Sequence, residues 1–130
     1  MEENVTMVDM TEEEKAEYIQ GKAMEIIMNA GDARDFAAQA MNAIAKGNLD
    51  EAKALLKEAD KVQSAAHNVQ TEMIQGDIRG GKEKMGYYVL FAHAQDTLMS
   101  IQVEINMTKS MLKIAKNYEA RLAALENKAE

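Results

Sequence analysis

The sequence predicts an all-α fold, an up-and-down three-helix bundle, on three observations. Proline is absent from all 130 residues, apolar residues recur at intervals of three and four in three long segments, and two glycine-bearing breaks separate those segments. Proline would remove helix hydrogen bonds, and the three-and-four spacing lines one face of a helix with apolar groups. A chain of this length builds one core.

The first segment runs from about Thr11 to Lys46, with Ile19, Ala23, Ile26, Ala30, Ala33, Ala37, Ala40 and Ile44 on one face. The stripe keeps its phase across Gly31, so Asn29-Ala30-Gly31-Asp32 reads as a kink or brief interruption rather than a chain reversal. Gly47-Asn48-Leu49-Asp50 is a turn, with Gly47 as the glycine closing one helix and Asn48 or Asp50 as the N-cap of the next. The second helix begins near Leu49 and its stripe is Ala52, Leu55, Ala59, Val62, Ala66, Val69 and Met73. Glycines at 76, 80 and 81 end it in what should be a mobile loop.

The third segment, about Lys82 to Ala124, carries two stripes. One is Tyr87, Phe91, Ala94, Leu98, Ile101, Ile105, Leu112 and Ala115; the other, on the opposite side, is Met85, Val89, Ala92, Asp96, Met99 and Val103. A helix in a lone bundle needs one buried stripe, so the second points to packing against other subunits in a cyclic homo-oligomer. A wide apolar face inside a monomer is the alternative. Residues 1–10 read as an acidic tail and 11–130 as the bundle domain.

Composition removes several function classes. Fifteen Lys and Arg against 22 Asp and Glu leave a net charge of −7, and no basic patch stands out along the chain, which argues against nucleic acid as a partner. With no cysteine, thiolate nucleophiles, disulfides and Cys-ligated zinc drop out. Neither a signal peptide nor a membrane span is evident, so the expectation is a cytoplasmic protein without direct membrane insertion. Gly76, Gly81 and Lys82 mimic a P-loop, but Glu83 follows where a hydroxyl is needed and no strand precedes.

Chemistry must come from His, carboxylates or hydroxyls. Asp96 sits mid-way along the second stripe, where a carboxylate is costly unless protonated, paired or bound to a cation. At a symmetry axis its copies would converge, and oxygen ligands alone suit a hard cation such as Mg²⁺; a rim position facing water is the alternative. His93 lies three residues earlier, on the flank of that stripe, with Ser100 one heptad on. An imidazole there can act as nucleophile or proton carrier, or be merely structural. His67 is the only other histidine.

The stretch Val89-Leu90-Phe91-Ala92-His93-Ala94-Gln95-Asp96-Thr97-Leu98-Met99 closely resembles the active-site signature of the lactose/cellobiose-type enzyme IIA of the bacterial phosphotransferase system, in which a hydrophobic run leads into His-Ala-Gln-Asp. Met28-Asn29-Ala30-Gly31-Asp32-Ala33-Arg34 and Ala66-His67-Asn68-Val69-Gln70-Thr71 are similar to that family in order and spacing, and the resemblance covers roughly Ile19 to Tyr118. It implies a homotrimer of spectrin-repeat-like three-helix subunits, a phosphotransferase that carries phosphoryl groups from the phosphocarrier HPr to a sugar-specific enzyme IIB for disaccharide uptake. It further implies that His93 is phosphorylated through Nε2, and that Asp96 from three subunits holds one Mg²⁺ on the threefold axis. Candidate donors to the phosphoryl group are Gln95, Thr97, Ser100 or residues of an adjacent subunit. The family usually has His where this chain has Thr97, which leaves His93 itself untouched. The rival from another class is a non-enzymatic acidic helical interaction module.

Overall fold

A computed structural model describes residue 7 and residues 10–129. Three α-helices make up the structure: α1 (Glu12–Ala45), α2 (Leu49–Arg79) and α3 (Val89–Ala129), with a short 3-10 turn at Gly81–Glu83. No helix among the described residues is long and apolar enough to cross a membrane. Of the expected acidic tail, Met7 is buried and Met10 packs against the core; residues 1–6, 8 and 9 lie outside the described residues.

Thr11 caps α1 by accepting the Glu14 N–H at 3.2 Å, and three glutamates in the first turn complement the helix dipole. The helix then runs through Gly31 without a break, so the expected interruption does not form: one glycine lowers propensity by only about 1 kcal/mol, which tertiary packing outweighs. Every stripe residue from Ile19 to Ala40 is buried. The end of α1 is a Schellman motif: Gly47 (φ +79°) donates to the Ile44 carbonyl at 3.0 Å and Asn48 to the Ala43 carbonyl at 2.8 Å. A three-residue link then reverses the chain, with Asn48 as the N-cap position of α2.

Cross-helix bonds fix the order as up, down, up. Arg34 of α1 reaches Glu104 of α3 through two parallel hydrogen bonds of 2.9 and 3.0 Å, and Lys15 Nζ donates to the Lys84 carbonyl at the other end. α1 and α3 therefore run parallel. Gln63 Nε2 donates to the Leu98 carbonyl at 2.8 Å and Lys109 reaches Asp60 at 2.7 Å, so α2 runs against α3.

The second connection differs from its expectation. α2 continues through a buried Gly76 to Arg79, and α3 begins at Val89, not Lys82. Positive φ at Gly80, Gly81 and Gly86 forbids a continuous helix there, although Lys82, Glu83 and Lys84 are good helix formers. Two members of the expected stripes thus fall in the connection: Met85 turns into the core, whereas Tyr87 is exposed. The loop is tied rather than free. Asp77 accepts the Met85 N–H at 2.8 Å, and Arg79 pairs with Glu83 at 2.8 Å.

Candidate functional site

α3 places its chemistry by helix geometry. Nine residues are two and a half turns, so residues nine apart point in opposite directions. Val89 and Leu98, Asp96 and Ile105, and Val103 and Leu112 are such pairs, and in each the first is exposed and the second buried. Asp96 therefore stands on the side of α3 facing directly away from the core, between Val89, Met99 and Val103. Met107 and Met111 continue this exposed apolar seam at intervals of four, beyond the Val103 limit read from sequence, where the same spacing would have shown them.

His93 is exposed, one turn inside the N-terminus of α3. Eleven residues separate it from Glu104, about three full turns, so it shares the flank that Glu104 turns toward α1. Gln95 and Thr97 are half-buried and Ser100 is exposed. The first turn of α3 has no acidic residue, and its free N–H groups favour an anion. Because helical side chains lean toward the N-terminus, a group carried on the His93 ring would sit over that turn. Ile78, Tyr87 and Val89 give this end of the bundle an exposed apolar rim, although the spacing of Tyr87 puts it in line with the buried stripe of Phe91 and Ala94.

The remaining candidates separate from His93. His67 lies on the α2 flank that faces α3, with Nδ1 3.5 Å from Thr71 Oγ1. Arg34 and Glu104 form an exposed forked pair; the hydrogen bond to Glu104, then its charge, raises the guanidinium above its ordinary value. Among the described residues, no group of three or more His, Asp or Glu side chains is placed to hold a metal ion within one chain. Asp96 is a single exposed carboxylate and belongs to no such group.

The model of the lactose/cellobiose-specific IIA subunit family of the phosphotransferase system matches residues 21–116. The chain belongs to this family. The galactose-specific EIIA component of Lactococcus lactis is 34% identical over 122 residues, covering 94% of this chain and all of the relative. The lactose-specific component of Lacticaseibacillus casei is 36% identical over 103 residues, 79% of this chain and 87% of its own. Among solved structures, the cellobiose-specific enzyme IIA of Bacillus anthracis superposes with a TM-score of 0.73 at 31% identity, covering 88% of this chain and 98% of that one. The chitobiose IIA of Escherichia coli, solved in complex with HPr, gives 0.68 at 28% identity over 78% and 96%. This IIA subunit is thus a phosphotransferase-system component, and its family match spans all three helices.

Proposed function

We propose that this IIA subunit is a phosphohistidine carrier that takes a phosphoryl group from HPr on His93 and passes it to a lactose/cellobiose-type enzyme IIB, working in the cytoplasm as a homotrimer. The observation that carries this reading is an exposed imidazole on a rigid helix, over an N-terminal turn free of acid. The Nε2 lone pair of neutral His93 attacks phosphorus in line, the new N–P bond forms, and the P–N bond to the donor imidazole breaks, leaving that imidazole with the electron pair. In the second step the acceptor on enzyme IIB attacks the same phosphorus and His93 leaves. Charge spread over three phosphoryl oxygens needs donors, for which the α3 amides, Gln95, Thr97 and Ser100 are nearest in sequence. The exposed apolar side chains of Ile78 and Tyr87 suit both protein partners, and the HPr complex of the chitobiose relative supports docking of HPr.

The trimer reading rests on the exposed seam of Val89, Met99, Val103 and Met107, which a monomer leaves in water. On a threefold axis three copies of Asp96 would converge, and they would hold a Mg²⁺ whose charge offsets their repulsion. Such a metal would supply charge neutralisation to the assembly, and His93 performs the transfer.

Intact mass is measured for the wild type and His93→Ala after incubation with phosphoenolpyruvate, enzyme I and HPr, then after mild acid. One phosphoryl group on the wild type alone, lost in acid, is the expected result. No gain, with a known enzyme IIA labelled in parallel, overturns the carrier reading in favour of a helical interaction module.

A further inference from the structure

Folding assembles a basic groove that the linear sequence conceals. On α2, Lys53 and Lys57 stand one turn apart; on α3, Lys109, Lys113 and Lys116 do the same, and the two rows face each other across a groove of about 290 Å³ over Leu56 and Leu112. Asp60 is the only carboxylate in the groove, and it is engaged by Lys109 at 2.7 Å. The other four ammonium groups form no ion pair among the described residues. In a chain of net charge −7, five lysines around one small groove with a single carboxylate among them are a local positive field that an anion relieves.

Asp60 also lines a neighbouring hollow of about 310 Å³, together with Gln63, Ser64, His67, Asn68 and Gln102. Apart from Asp60 these are amide, hydroxyl and imidazole groups, the donor and acceptor set that pairs with hydroxyls. Gln63 is 3% exposed, and its amide nitrogen is committed to the Leu98 carbonyl. Its Oε1 is buried with no hydrogen-bond partner among the described residues, a costly state that a neighbouring donor corrects. Both compartments lie on the α2 side of α3. Lys109 is 16 residues, roughly 24 Å, along the helix from His93.

We propose that this α2–α3 groove binds the phosphate ester of a small polyhydroxylated molecule, with phosphate held between the lysine rows and hydroxyls on the Gln63, Ser64, Asn68 and Gln102 groups. Concave shape favours a small ligand over a bilayer: lysines on two facing walls enclose a phosphate, and the negative charge of the remaining surface repels an anionic membrane. The inference stands apart from the carrier role of His93, whose failure would leave it intact.

The test is a titration of the ¹⁵N-labelled full chain, followed by NMR, with glucose 6-phosphate, inorganic phosphate, glucose and anionic phosphatidylglycerol vesicles as separate probes. Glucose 6-phosphate is expected to give saturable shifts at Lys57, Lys113, Ser64 and Asn68, with inorganic phosphate binding more weakly and shifting the lysine half alone. Lys57→Gln/Lys113→Gln, both on the surface, should weaken glucose 6-phosphate by about tenfold per lysine removed. Asn68→Ala should weaken glucose 6-phosphate but not inorganic phosphate. Absence of saturable binding, equal affinity for inorganic phosphate, an unchanged double variant, or vesicle binding without a glucose 6-phosphate response would each overturn the proposal.

Discussion

The two faces of α3 have nearly the same side chains and opposite fates. Ala94, Leu98, Ile101 and Ile105 are fully buried against α1 and α2, whereas Val89, Met99 and Val103 are more than half exposed. The buried face is therefore satisfied by this chain, and the outer one is left in water by it. Hydrophobicity along a helix records how many surfaces it meets, and does not say whether they belong to the same chain.

The largest expected effect breaks the inner face. Leu98→Ala removes a side chain with no exposed area, and it should lower stability by about 2–5 kcal/mol in urea unfolding, while Val103→Ala on the outer face should move it by less than about 0.5 kcal/mol when measured on the monomer. Equal losses at both sites would mean that the outer face also packs within the chain. Next, Val103→Asp puts a charge in the seam. Sedimentation should then show monomers with the helical circular dichroism spectrum unchanged, and a persisting trimer would remove Val103 from the interface. Asp96→Leu sharpens the comparison from the other direction, since an apolar residue replaces converging charges: the trimer should be kept or strengthened while Mg²⁺ binding is abolished, and a monomeric variant would count against the axial placement.

The smallest effect concerns two glycines of α1. A Cβ built at Gly21 or Gly31 meets nothing within 4 Å in this chain, so Gly21→Ala and Gly31→Ala should each stabilise by about 0.5–1 kcal/mol in thermal unfolding. Stabilisation at Gly21 with loss at Gly31 would show that a second copy presses on the Gly31 flank.

How much of this was legible depends on polarity. In α1 the buried residues from Ile19 to Ala40 were readable one by one because they are apolar and strictly spaced. In α2 the deepest line runs through Leu56 and Gln63 rather than Leu55 and Val62; a buried glutamine held by a backbone carbonyl carries no hydropathy signal. Thr108 was missed on α3 for the same reason, its hydroxyl being returned to the Glu104 carbonyl at 2.8 Å. The position of His93 on an exposed helix flank followed from spacing, but the start of α3 did not, because three left-handed glycines override the helix propensity of the residues between them. The lysine groove joins residues more than fifty positions apart, which no local pattern reveals.

Six of the eight buried residues of α1 are alanines: Ala23, Ala30, Ala33, Ala37, Ala40 and Ala43. Small side chains let α1 lie close to its neighbours, and they leave little to remove. A single-base change that replaces an alanine yields Gly, Ser, Thr, Val, Pro, Asp or Glu, so a replacement at these positions can only lose helix propensity, enlarge a packed contact, or bury a polar group. The outer surface of this helix is free to drift, while its inner line is held by the genetic code to almost no neutral neighbours.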